Sequence, residues 1–331
     1  MGAYMTNFNI VSGGVHPELA KEIAKKLKTN LLKVELKRFA NGERYIRYEE
    51  SVREKKLFII QSFAEVNGYS LNDAIIELFL LIDAAKRASA DEITVVLPIL
   101  PYSRQDRKAR NREPISISVI LRTLEMLGVR RVLTIDLHSA QTQAIFSQPF
   151  DHLIASPLIT EALRNYISKD KDSFILVSPD AGRAKETEQY AEDLELNYVH
   201  LPKSRDHNNS SHINRPAKIP GIENKNCIII DDMIDTGGTI ITAAETLKNS
   251  GAKDIVVATT HGILSNNAAL RFKNSPISVL FTVDTIPQQD NLAVLSEKIK
   301  IIPSAPLIAE AIERIVKGES LDYMFHGKNN K

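Results

Sequence analysis

The sequence is short of cysteine, of net charge and of long apolar runs, and each shortage closes off a class of protein. Its one cysteine, Cys227, excludes an intrachain disulfide framework; beside Ile228-Ile229-Ile230 it reads as a buried strand residue in a reducing compartment. Lys plus Arg number 42 against 41 for Asp plus Glu, so no whole-molecule field draws the chain to nucleic acid or an anionic membrane, and any anion site has to be local. No uninterrupted apolar run of about 18 residues occurs, and the most apolar helical stretch, 74–85, carries Glu77 and Asp83, which argues against a transmembrane span. The N-terminus lacks a basic region followed by an apolar segment, so no secretory signal is expected and the expected location is the cytoplasm. Missing too are a long Pro/Gly/Ser linker, a low-complexity tract, a short repeat and the G-x-x-x-x-G-K-[ST] pattern of a P-loop kinase.

What is present is the composition of an ordinary globular chain, 43% apolar and 25% charged over 331 residues. That length exceeds what one hydrophobic core usually supports, so two domains are expected. Short β-branched runs at 8–11, 57–61, 93–97, 132–136, 174–178, 227–231, 255–259 and 279–283 alternate with helical patterns at 17–28, 71–90, 115–127, 182–194, 239–250 and 305–317. Such alternation predicts an α/β fold with mostly parallel sheets flanked by helices. The division is expected near residue 158, after Ser156-Pro157, giving domains 1–158 and 159–331.

Four segments carry chemistry. In CIIIDDMIDTGGTI an apolar strand delivers Asp231 and Asp232 at its carboxyl end, and Asp235-Thr236-Gly237-Gly238-Thr239 turns into a helix. Glycines let backbone approach a ligand, and N–H groups at a helix start attract phosphate. Paired acids before such a turn suit a sugar phosphate, by accepting from hydroxyls or holding Mg²⁺; the plainer alternative is an N-capped turn. PYSRQDRKARNREP crowds Arg104, Arg107, Lys108, Arg110 and Arg112 into one loop, which fits either a triphosphate site or a solvated basic or nucleic-acid patch. LTIDLHSAQTQ places Asp136 and His138 at a strand's carboxyl end, with His138 open to a metal, proton-transfer or structural role. ILVSPDAGRAK puts Asp180 at another strand end, as a Mg²⁺ ligand beside phosphates or as a helix cap.

Taken together with FANGE at 39–43, Gln61-Ser62 and the terminal GESLDYMF, these segments resemble the ribose-phosphate diphosphokinase (PRPP synthase) family over nearly the whole chain. The resemblance implies two tandem phosphoribosyltransferase-like domains and subunits that assemble as dimers into homohexamers. It also implies Mg²⁺-dependent transfer of the β,γ-diphosphoryl group of ATP to the C1 hydroxyl of ribose 5-phosphate. The products would be AMP and 5-phosphoribosyl 1-diphosphate, for nucleotide, His and Trp biosynthesis. By resemblance Phe39, Asn41, Glu43, Arg104, Gln105 and His138 contact ATP, and His138 and Asp180 hold the metal. Asp231, Asp232 and Asp235 to Thr239 take ribose 5-phosphate. Lys203 and Arg205 are the catalytic cations of a closing loop, since diphosphoryl transfer needs charge neutralisation and alignment more than covalent chemistry. Ser51, Arg53, Arg112, Ser320 and Phe325 match a regulatory phosphate/ADP site. Neither nucleic acid nor membrane is an implied partner.

The chain departs from the family pattern in places. The segment FAEVNGYSLND after Ser62 is longer than usual, Arg183 and Glu186 stand where a Gly and a basic residue are common, Asp322 replaces a frequent Ser, and Ala140 replaces the Ser of some members. A carboxylate at a phosphate pocket repels the anion, so weakened phosphate activation is expected. Two rivals remain at this point: a phosphoribosyltransferase, which shares the acid-pair loop but needs neither FANGE nor RQDRK, and a non-catalytic associated subunit, in which an insertion near the catalytic loop would be expected.

Overall fold

The computed structural model describes residues 8–66, 68–167, 170–179, 182–201 and 219–326; Asp180, Lys203 and Arg205 lie outside the described residues. The chain divides into two compact units, one of Met1–Ala155, Thr285–Pro287 and Pro303–Lys331, the other of Ser156–Asp284 and Gln288–Ile302.

In the first unit the chain runs β1 (Phe8–Ser12), α1 (Pro17–Lys26), β2 (Val34–Arg38), β3 (Arg44–Tyr48), β4 (Lys56–Ile60), α2 (Leu71–Arg87), β5 (Glu92–Leu97), α3 (Ser116–Leu127), β6 (Arg131–Ile135) and β7 (Phe150–Leu153). Five of these strands form a sheet in the order β1-β4-β5-β6-β7, and every pairing is parallel. Its central strands are apolar without alternation and buried from Ile93 to Leu97, as a sheet covered on both faces requires. The helices show how sequence sets their limits. Pro17 opens α1, where a missing N–H costs nothing. Ser70 and Asp73 cap α2 reciprocally, the Asp73 N–H donating to Ser70 Oγ at 3.1 Å and the Ser70 N–H to Asp73 Oδ2 at 2.9 Å. A separate antiparallel hairpin, β2-β3, carries the FANGE segment at its turn.

The second unit contains α4 (Ser156–Ile167), β8 (Phe174–Ser178), α5 (Ala184–Leu194), β9 (Asn197–His200), β10 (Asn226–Ile234), α6 (Gly238–Asn249), β11 (Ile255–Gly262), α7 (Ala268–Lys273), β12 (Val279–Val283), α8 (Gln289–Leu295) and β13 (Ile299–Ile302). Its six-stranded sheet has the order β13-β12-β11-β10-β8-β9, again parallel throughout. Cys227, Ile229, Val257, Leu247 and Phe272 share one buried core, and burying a side chain of this size stabilises by about 1.5–3 kcal/mol. Burial pushes the Cys227 thiol up to about 12, so it behaves as a small core residue. Two last helices, α9 (Ala305–Lys317) and α10 (Asp322–His326), belong to the first unit, with α9 against α1 and α10 against β7.

No helix among the described residues is long and apolar enough to cross a membrane.

Candidate active site

Strand order locates the site. From β8 the chain crosses to β9 on one side, and from β10 it crosses to β11 on the other, so β8 and β10 are neighbours whose connections leave in opposite directions. At such a switch point the connections part beyond the carboxyl ends and leave a crevice, the usual ligand position of an open α/β sheet.

The acid-pair loop stands at that crevice. β10 continues three residues beyond the expected strand end, so Asp231 and Asp232 lie within it, Asp231 in register with Thr259 of β11. The turn that follows places Gly237 at φ 74°, a left-handed backbone that favours glycine. Space enforces the same choice, because a Cβ on Gly237 would come within 2.4 Å of the Phe272 ring. At Gly238, the first residue of α6, a Cβ would meet nothing within 4 Å, so the helix start opens onto free space. The first N–H groups of a helix have no intrahelical acceptor and carry the positive end of its dipole, a chemistry suited to an anion.

Downstream residues brace the turn. The Ser265 hydroxyl donates to Asp235 Oδ1, the Arg271 guanidinium donates to the Thr236 carbonyl, and Phe272 supplies the wall beneath Gly237. These supports are absent from the sequence expectations. They come from α7 and the residues before it, some thirty positions on, and no local pattern marks them.

The electrostatics centre on Arg183, the residue before α5. Its Nε lies 3.2 Å from Asp231 Oδ1, its Nη2 pairs with Asp232 Oδ1, and its Nη1 lies 2.6 Å from Glu186 Oε2. The Asp232 N–H also donates to Asp231 Oδ1 at 2.9 Å. Burial, and then the Asp232 carboxylate, push Asp231 up to about 7 against the pull of Arg183. For Arg183 burial works against the charge, but the Asp232 and Glu186 carboxylates outweigh it and hold the guanidinium above its usual range.

The other expected residues that are described lie in the first unit. Phe39, Asn41 and Glu43 form the β2-β3 turn. There the Gly42 N–H donates to the Phe39 carbonyl at 2.9 Å, the Glu43 N–H donates to Asn41 Oδ1 at 3.2 Å, and Phe39 is half exposed with its ring 5.7 Å from Tyr45. Arg104 and Gln105 sit in the basic loop after β5, where Ser116 donates to Gln105 Oε1. Glu113 Oε2 accepts from the Ala109 and Arg110 N–H groups at 2.8 Å, and Arg112 has φ 71°. His138 stands exposed beyond β6, while Asp136 Oδ1 accepts from the Ala155 N–H at 3.1 Å. Ser51 accepts from the Arg53 N–H at 3.5 Å, and Ser320 accepts from the Asp322 N–H at 3.1 Å, at the start of α10, which contains Phe325. Among the described residues no three His, Cys, Asp or Glu side chains are grouped to hold a metal ion.

The first sheet has a switch point of its own, and it is filled. A single parallel bridge from Ile10 to Leu31 lies beyond β1, so β1 and β4 part in the same way as β8 and β10. Between them the fully buried Glu77 accepts from the Gly14 N–H at 2.7 Å, Gln61 Nε2 at 3.0 Å, the Tyr69 hydroxyl at 2.8 Å and the Arg44 guanidinium. Arg44 also lies over the Tyr69 ring, 4.0 Å from its centroid.

Comparison with known proteins agrees over both units. Residues 8–128 match a family model described as the N-terminal domain of ribose phosphate pyrophosphokinase, and residues 214–326 match one described as the phosphoribosyl synthetase-associated domain. A ribose-phosphate pyrophosphokinase of Corynebacterium efficiens is 40% identical over 97% of this chain and 96% of its own. Ribose-phosphate pyrophosphokinase 4 of Saccharomyces cerevisiae is 37% identical over 97% of this chain and 95% of its own. The crystal structure of phosphoribosylpyrophosphate synthetase from Mycobacterium smegmatis superposes with a TM-score of 0.85 at 35% identity, covering 95% of this chain and 100% of that one.

Proposed function

The chain belongs to the ribose-phosphate pyrophosphokinase family, and from that premise we propose that it transfers the β,γ-diphosphoryl group of ATP to the C1 hydroxyl of ribose 5-phosphate. The products are 5-phosphoribosyl 1-diphosphate and AMP, serving nucleotide, His and Trp biosynthesis in the cytoplasm. The observation that carries the assignment of the sugar site is the conjunction at the β8/β10 crevice of two carboxylates with an open, glycine-started helix. A phosphorylated sugar offers the matching pair of groups: hydroxyls for Asp231 and Asp232, and a phosphate for the turn from Asp235 to Thr239.

The labour divides between the first unit, to which Pro303–Lys331 returns, and the second unit. Phe39, Asn41, Glu43, Arg104, Gln105 and His138 contact ATP; the second domain takes the sugar, and Lys203 and Arg205 neutralise the diphosphoryl group in transfer. By family resemblance His138 and Asp180 would hold Mg²⁺, which keeps several waters and binds chiefly through oxygen donors, few from the protein and the rest from substrate phosphates. When bound it supplies charge neutralisation to the triphosphate. Ser51, Arg53, Arg112, Ser320 and Phe325 form a regulatory anion site, weakened by Asp322. The working form is a homo-oligomer, dimers assembling into a hexamer.

Phosphorus NMR of the purified chain with ATP, Mg²⁺ and ribose 5-phosphate tests this reading. AMP and 5-phosphoribosyl 1-diphosphate are the expected products. ADP or free phosphate in their place would refute it, and activity that appears only after a partner subunit is added would reassign the chain to a regulatory role.

A further inference from the structure

We propose that Arg183 is a positioning residue for ribose 5-phosphate: its guanidinium spans Asp231 and Asp232 and makes of them a single acceptor pair for the sugar hydroxyls. The inference rests on the sugar-phosphate reading of Asp231 to Thr239 and goes beyond it, because Arg183 comes from the β8–α5 connection and not from that loop.

Asp231 and Asp232 are consecutive residues of β10, and consecutive strand side chains point to opposite faces of a sheet. Left to strand geometry the two carboxyls would diverge. Arg183 reaches Oδ1 of both, through two different nitrogens of one planar group, so the position of each acid is tied to the other. The third nitrogen is tethered to Glu186. Exposure separates these contacts: the Arg183, Asp231 and Asp232 side chains are 18%, 20% and 10% exposed, whereas Glu186 is 58% exposed. The two aspartate contacts are therefore shielded from water and salt, and the Glu186 contact is a screened tether.

The guanidinium also offsets like charge. Two carboxylates side by side repel each other and would repel the phosphate of an incoming sugar, and a cation held between them lowers both penalties. A lysine in this place would bring the charge without the fork. Arg183 belongs to binding rather than to group transfer, so its loss is read in the affinity for the sugar.

Steady-state kinetics and calorimetric binding of ribose 5-phosphate, on the full-length protein, test the proposal with Arg183→Ala, Arg183→Lys, Glu186→Gln and Asp231→Asn. Arg183→Ala is expected to raise the KM and Kd for ribose 5-phosphate about tenfold while the KM for ATP stays put and kcat changes by less than about threefold. Arg183→Lys should fall between wild type and Ala, and Glu186→Gln should cost about twofold. Wild-type sugar affinity in Arg183→Ala, or a fall in kcat with KM unmoved, overturns the proposal. If Arg183→Ala fails to fold, Arg183→Lys decides, because full affinity in that variant overturns the role of the fork. Asp231→Asn separates the two levels. Lost sugar binding there with normal binding in Arg183→Ala refutes only the role of Arg183, whereas normal binding in both refutes the cradle itself.

Discussion

The two sheets reach the same topological situation and finish it differently. Between β1 and β4 the crevice is filled by Glu77, whose carboxylate takes four donors from Gly14, Gln61, Tyr69 and Arg44. Between β8 and β10 two carboxylates face one guanidinium, and the neighbouring helix start is open. One edge ties a single buried carboxylate to four donors; at the other, two adjacent carboxylates share one guanidinium. A buried carboxylate with its hydrogen bonds met is a structural part, whereas two carboxylates beside an open helix start suit the sugar-phosphate reading proposed above. Charge at a sheet edge is thus a poor guide to function until its partners are counted.

Breaking the filled edge should have the largest effect. Glu77→Ala leaves the Arg44 guanidinium buried without its carboxylate and is expected to cost about 3–5 kcal/mol of stability, measured by denaturant unfolding. A loss below about 1 kcal/mol would mean that the network is not the plug described. Next comes Gly237→Ala at the open edge. Its Cβ meets the Phe272 ring in a left-handed backbone, so about 1–3 kcal/mol of stability should go together with sugar-phosphate affinity. Retained affinity would show that the turn does not shape the anion seat. Tyr69→Phe removes a single hydroxyl from the filled edge, with an expected cost of about 1 kcal/mol and no change in the KM for ribose 5-phosphate.

One expected effect has the opposite sign. Asp231 is raised from 3.8 to about 7, so its ionised form is disfavoured by the fold. That penalty is absent below the ordinary carboxylate range and complete above pH 7, which means that wild-type stability declines as pH rises between these limits. Asp231→Asn should therefore match wild type near pH 4 and melt higher than it at pH 8. Equal melting temperatures at pH 8 would show that Arg183 and the ligand crevice compensate the buried charge completely.

Much of this was legible in the sequence. Continuous apolar runs marked the central strands of both sheets, and the segment Asp231 to Thr239, which the structure places at the β8/β10 crevice, left a local pattern because its turn is built from consecutive residues. The β2-β3 hairpin left none: its strands, VELKR and RYIRY, carry charges throughout and are largely half-buried or exposed, without the apolar run that betrays a core strand. Ser156-Pro157 opens α4, where proline is at home in a first helical turn. Ser265, Arg271 and Phe272 reach the turn only through tertiary packing. Arg183 was visible as an unusual residue, but nothing in the sequence showed that it crosses to Asp231 and Asp232, since that contact depends on β8 and β10 being neighbours.

The return of Pro303–Lys331 to the first unit makes the chain nested rather than sequential. α1 finds its packing partner in α9, nearly three hundred residues later, so during synthesis the first unit's opening helix emerges long before the helix that covers it. Closing that contact requires the whole second sheet's sequence to have been made already. The slow step of folding should accordingly be the docking of the last helices, and a truncation before Pro303 should yield a second unit that folds beside a first unit left incomplete.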